Sequence, residues 1–143
     1  MKQHTLIEAR QEGHTYLITI GTDMGQFSGA VCCREEDYSN ESKYFGFELA
    51  EIKAEIAYAR AQRNHWEAQL KALTQFWRDM SETRNYDYHA FWVKQIRDRT
   101  SKVDTERQYW VETIKKLKNV YYLKIKERDT FNSRLASKRE ERV

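Results

Sequence analysis

Proline is absent from this chain of 143 residues, and its five glycines (Gly13, Gly21, Gly25, Gly29 and Gly46) all lie in the first third. Beyond Phe47 no residue strongly breaks a helix. Cysteine occurs only at Cys32 and Cys33. Neighbouring positions on a strand point to opposite faces, so a bond between them would be strained. This excludes a disulfide framework, and neither cysteine has metal-ligand spacing to a histidine. There is no apolar run long enough to cross a bilayer, and the start lacks the apolar core of a secretory leader. A reducing cytoplasm is the expected compartment, with no membrane partner.

What is present suits one folded domain, expected over 1–143. Hydrophobic residues make up 40% and charged residues 33%, with nine Tyr, six Phe and four Trp, which argues against general disorder. The net charge of +3 conceals a gradient. Residues 1–46 hold four basic against seven acidic side chains, and residues 101–143 hold twelve against seven. A basic end fits an anionic partner, docking onto the acidic start, or a solvated lysine-rich helix.

Alternation predicts three short strands, over His4–Gln11, His14–Ile20 and Gln26–Arg34, with turns at Glu12-Gly13 and Gly21–Gly25. On the third, Phe27, Val31 and Cys33 share a side. The acidic stretch Glu35–Ser42 reads as a loop. Then two heptad seams appear. The first runs Phe45, Leu49, Ile52, Ile56, Ala59, Arg63, Trp66, Leu70, Leu73, Trp77, Met80. The second runs Val93, Ile96, Thr100, Val103, Arg107, Trp110, Ile114, Leu117, Tyr121. Steps alternate between four and three, the mark of paired helices. The polar link around Arg84 is short, so the helices are expected antiparallel, over 45–82 and 86–137, the second broken near Thr100-Ser101. The fold class is therefore α+β: a small antiparallel β-meander followed by a long two-helix hairpin. Off-seam Tyr58, Phe76, Tyr109, Val120, Tyr122, Leu123 and Ile125 predict a homodimer or higher oligomer through the helices.

Catalytic templates are missing, so no enzyme, cofactor or metal site is expected. Three clusters are candidates for a ligand. Arg63 and Arg107 occupy seam positions, fall at nearly the same level of the hairpin, and are each followed three residues on by a tryptophan, Trp66 and Trp110. Inward guanidiniums with no seam carboxylate would cost several kcal/mol unless an anion neutralised them. A phosphate would do so, with an indole stacking a base. In the competing reading the arginines snorkel to water or pair with Glu55, Glu67 or Glu106. The second cluster is the corner Arg84, Asn85, Tyr88, Phe91, Trp92 and Arg97, where cations and aromatics meet a helix start, or where aromatics merely cap the hairpin. The third is Lys124 with Arg128, expected opposite Asn40–Tyr44 and the acidic Glu35-Glu36-Asp37. Nucleic acid is disfavoured as a partner, because acids dilute the basic charge and no reading module appears.

The segment Phe27-Ser28-Gly29-Ala30-Val31-Cys32-Cys33-Arg34-Glu35-Glu36-Asp37-Tyr38, followed by Phe45-Gly46-Phe47-Glu48-Leu49-Ala50, resembles a pattern of small phage proteins. In that pattern a strand ends in Gly-x-Ala-x-Cys, an acidic stretch follows, and Gly-x-x-Leu-Ala opens a long helix. The layout resembles the first described phage anti-Thoeris sponge family. Cys33-Arg34 stands where His-Pro would be expected, and no ligand residue of that family is carried over. The resemblance implies a homo-oligomeric, non-cleaving sponge. It would hold a cyclic ADP-ribose isomer, with cyclic oligonucleotides held at separate sites in some members. This anti-defence role would be played in the host cytoplasm. A protein-protein inhibitor such as an anti-CRISPR, or a structural coiled-coil protein, is the alternative.

Overall fold

A computed structural model describes residues 4–32, 40–81 and 86–141. Its elements are β1 (Thr5–Glu12), β2 (Thr15–Thr22), β3 (Gly25–Cys32), α1 (Asn40–Ser81) and α2 (Tyr86–Glu141). The sheet is antiparallel in the order β1-β2-β3. The class is α+β, a three-stranded meander followed by a helical hairpin, as the periodicities indicate. The chain divides into two compact units, Met1–Tyr58 with Ile114–Val143, and Ala59–Thr113.

In the first unit both strand links are tight turns closed by a glycine that takes the left-handed backbone others resist: Gly13 at φ 57° and Gly25 at φ 110°. Thr22 Oγ1 spans the second turn, donating to the Gly25 carbonyl at 2.8 Å and accepting from Met24 N at 3.2 Å. The β1–β2 register slips between Leu6 and Glu8, so Ile7 is an extra residue, a bulge the alternation did not reveal.

Tyr16, Ile18 and Ile20 of β2 and Val31 of β3 are buried. Against them lies a row of small residues on α1, Gly46, Ala50 and Ala54, one helical turn apart. Both alanines are wholly buried. A Cβ built at Gly46 would fall 2.7 Å from the Tyr16 ring, and one at Gly29 of β3 would fall 2.6 Å from Ala54 N and also strike the Ala50 carbonyl. Sheet and helix backbone thus approach as closely as glycine and alanine permit. The roughly 1 kcal/mol cost of a glycine inside a helix is offset at Gly46 by that ring contact. Phe47 stands edge-on to Tyr16 with centroids 4.9 Å apart. Tyr58 pins the Asp23 turn to α1 by donating to Oδ1 at 2.6 Å.

The helix covers β2 and β3 but not β1, whose eight residues are all exposed. Ala9 and Gln11 stand opposite Ile18 and Tyr16, on the same side of the sheet, yet remain in solvent. The other stripe of α1, Leu49, Ile52, Ile56 and Ala59, is buried as its heptad spacing requires. Phe45 meets Phe131, Glu48 meets Lys124, and Lys53 meets Tyr121, a descending series that makes α1 and α2 antiparallel.

Two expectations about the helices are corrected. Helix α1 begins at Asn40, five residues ahead of Phe45, and α2 runs unbroken through Thr100-Ser101 to Glu141. Threonine and serine cost a helix only a fraction of a kcal/mol each. Buried Val103 anchors that stretch, and Thr105 Oγ1 donates back to the Ser101 carbonyl at 2.8 Å. Asp37 and the rest of the acidic stretch through residue 39, together with Cys33, Arg34, Arg84 and Asn85, lie outside the described residues. Cys32 is exposed and free.

The second unit is less well filled. Gln62, Ile96, Val103 and Trp110 are buried, whereas Trp66, Leu70, Leu73, Trp77 and Met80 are only half-buried. A pair of helices encloses a thin core, and the seam residues show it.

Candidate functional site

The two seam arginines lie in the second unit, and their surroundings differ from the expectation of uncompensated charge. Arg107 is paired within its own helix. Its Nε and Nη2 both donate to Asp104 Oδ1, at 3.0 and 2.8 Å, while Gln108 occupies Oδ2 at 3.1 Å. Arg63 donates from Nη2 to Asn64 Oδ1 at 3.2 Å, and its Nε stands 3.9 Å from Glu67 Oε1. The expectation of an uncompensated charge therefore fails for Arg107, and Arg63 has Glu67 at the limit of ion-pair distance, as in the competing reading. Asp104 is three residues away and one position off the seam, so the heptad pattern did not register it. Both arginine side chains are half-buried.

Trp110 is buried. Trp66 behaves differently: its ring is half-buried and edge-on to His65, and among the described residues its Nε1 is enclosed without a hydrogen-bond partner. A buried indole N–H usually finds an acceptor. Trp66 lines a cleft of about 440 Å³ with Arg99, Lys102, Val103, Thr105 and Glu106. A second cleft, about 570 Å³, lies over Phe91, Trp92, Gln95 and Asp98, and again reaches Arg99 and Lys102. Both are open clefts on the surface of the second unit, not enclosed cavities.

Arg99 and Lys102 are thus common to both clefts, and among the described residues neither has an ion-pair partner. Both side chains are exposed. The sequence reading passed over them because it followed the seam, and both flank it. Asp98 and Glu106 each stand four residues from Lys102, about one helical turn away.

Of the corner cluster, the side chains of Phe91, Trp92 and Arg97 are among those described, and Arg84 and Asn85 lie outside the described residues. Phe91 and Trp92 are exposed and edge-on to each other at 5.6 Å, and Phe76 of α1 approaches Trp92 at 6.3 Å. Arg97 turns instead to a separate cleft of about 460 Å³ with Leu70, Leu73, Trp77 and Ile96.

The third cluster belongs to the first unit. Lys124 Nζ reaches Glu48 Oε2 at 3.0 Å and Glu127 Oε2 at 3.4 Å, and the hydrogen bond to Glu48 is the main reason its pKa is raised. Arg128 lies 3.5 Å from Asp129, with its Nε enclosed and without a partner among the described residues. Lys124 thus finds its counterion within the hairpin, at Glu48.

One further constellation was missed altogether. His4 Nε2 stands 3.2 Å from Glu51 Oε1 and 3.4 Å from Glu55 Oε1. Burial raises the Glu55 pKa, His4 opposes the rise, and Glu51 adds to it. The Glu51/Glu55 spacing of one helical turn was visible in the sequence. The long-range approach of His4 was not.

No helix among the described residues is long and apolar enough to cross a membrane. No protein-family model, curated protein or solved structure matches the chain.

Proposed function

We propose that this chain is a non-catalytic binding protein that sequesters a cyclic nucleotide immune signal in the host cytoplasm, with a cyclic ADP-ribose isomer as the leading ligand. One observation carries the reading: Arg99 and Lys102, unpaired among the described residues, stand beside an indole whose N–H has no acceptor there. Two cations one helical turn apart suit a pyrophosphate. Trp66 supplies a face for a base and a donor for a ligand oxygen, while Phe91 and Trp92 offer a second aromatic surface. The resemblance of Phe27–Tyr38 and Phe45–Ala50 to anti-Thoeris sponges points the same way. Arg63 and Arg107 are then flanking contacts, since an incoming phosphate must displace Asp104 to reach Arg107.

The test is native mass spectrometry of the purified chain with cyclic ADP-ribose isomers and cyclic di- and trinucleotides. The expected result is retention of one of them and its release intact on heating. An Arg99→Ala, Lys102→Ala double variant should lose at least ~100-fold in affinity, as two charged hydrogen-bond partners at ~1.5 kcal/mol or more each require. Failure to retain any of these nucleotides overturns the reading.

We also infer self-association through the helices. Phe91, Tyr109, Val120, Tyr122 and Leu123 of α2 are exposed, and the half-buried seam of the second unit is left short of cover. Sedimentation equilibrium should give a dimer or larger species, and a monomer at micromolar concentration refutes this part. The same exposed residues favour the second reading, an inhibitor that grips a host protein. Stoichiometric capture of one host protein, with no small molecule released on heating, supports that alternative.

A further inference from the structure

The approach of the chain to β1 meets α1 at three side chains whose donor atoms converge. His4 comes from the residue before β1, and Glu51 and Glu55 come from successive turns of α1. His4 Nε2, a Glu51 oxygen and a Glu55 oxygen all lie within 4.8 Å of one another. We propose that these three residues bind a divalent transition-metal cation of the zinc class, clipping the start of the sheet to α1.

Three considerations lead there. The first is valence. His4 Nε2 carries at most one proton, yet two carboxylate oxygens approach it at 3.2 and 3.4 Å. One N–H serves one of them well and leaves the other underserved, whereas a cation satisfies all three donors. The second is geometry. Ligands about 2.1 Å from a metal are separated by roughly 3.0 Å along an octahedral edge and 3.4 Å along a tetrahedral one. The two histidine–carboxylate separations already fall in that interval. The third is charge. Two carboxylates with a neutral imidazole sum to −2, which one divalent cation balances. His4 and Glu55 are largely withdrawn from water, so this balance matters more than it would on an open surface.

The donor set selects the ion. An imidazole nitrogen with two carboxylates suits zinc and its neighbours, while calcium and magnesium prefer oxygen alone. Glu51 is the most exposed of the three, leaving a path for the ion and a fourth position for water. Because the ligands come from two elements that meet only in the folded chain, binding stabilises the first unit by linkage.

The experiment uses the full chain stripped with a chelator, in a Cys32→Ser, Cys33→Ser background that removes thiolate binding. Zinc is titrated against a chromophoric competitor, cobalt(II) absorption reports the ligand field, and thermal unfolding is followed with and without zinc. One zinc per chain is expected, with a melting temperature that rises with zinc concentration. His4→Gln and Glu55→Gln should each weaken binding by more than the ~10-fold that even an outer partner of a metal site is worth. His14→Gln and His65→Gln should not. Glu51→Gln alters a side chain outside the core, so it tests the site even where the His4 variant folds poorly. Zinc binding equally tight in all of these variants, or no zinc-dependent rise in melting temperature, overturns the proposal.

Discussion

Replacing Gly29 with alanine tests the packing that holds sheet to helix. The added Cβ would lie 2.6 Å from Ala54 N and 2.8 Å from Lys53 Cβ, and would meet the Ala50 carbonyl oxygen as well, whereas ordinary van der Waals contact begins at about 3.4 Å. Two of the three obstacles are backbone atoms of α1, which no rotamer change can move. Either α1 withdraws from β3 or β3 buckles, and in both cases Tyr16, Ile18 and Val31 lose contact. Overpacking a filled core costs ~1–3 kcal/mol, and a rigid obstacle places this variant near 3. At about 3 °C per kcal/mol for a chain of this length, the melting temperature should fall by roughly 10 °C. Thermal unfolding by far-ultraviolet circular dichroism reads the shift. Gly13→Ala is the comparison: nothing lies within 4 Å of its Cβ, so only the strain of φ +57° remains, worth ~1–2 kcal/mol. Removing the Ala54 side chain as well should give no rescue, since the clash is with the helix backbone. A Gly29→Ala protein that melts within about 1 °C of the parent, or one restored by Ala54→Gly, refutes the close-approach account.

Tyr58→Phe deletes the 2.6 Å hydrogen bond to Asp23 and should cost ~1 kcal/mol in denaturant unfolding, with the m-value unchanged. Lys124 has a raised pKa in the fold, so the stability it adds is complete below the ordinary lysine pKa of 10.5 and is lost as pH rises through the higher folded value. A Lys124→Met variant should therefore show a shallower decline in melting temperature across that alkaline range, and an unchanged decline would count against the Glu48 contact. Arg107→Ala should weaken nucleotide binding less than the Arg99, Lys102 double change, because Asp104 already holds Arg107; calorimetry showing the reverse order would return the site to the seam.

The sequence made the architecture legible because its two periodicities are clean. Alternation through Tyr16, Ile18 and Ile20 marked β2, and the four-three steps from Leu49 to Ala59 marked the buried stripe of α1. What escaped was set by contacts distant in sequence or off the repeat. The Ile7 bulge depends on pairing with β2. The small-residue row Gly46, Ala50, Ala54 reads as ordinary helix until β3 is laid on it. Asp104 lies one place off the seam, and so took Arg107 without disturbing the heptads. Arg99 and Lys102 flank the seam, so tracing the heptads did not reach them.

The uncovered strand β1 has a consequence for how the molecule behaves in a crowd. A sheet border that presents free amides and carbonyls invites another polypeptide to add itself there, and chains of many copies grow from such invitations. Here the outward row is Glu8, Arg10, Glu12, with the arginine held 3.7 and 3.1 Å from its two neighbours, and the kink at Ile7 spoils the straight run beside it. Charge and kink together make a poor template, so a margin left bare by the helix need not become a seed for fibrils.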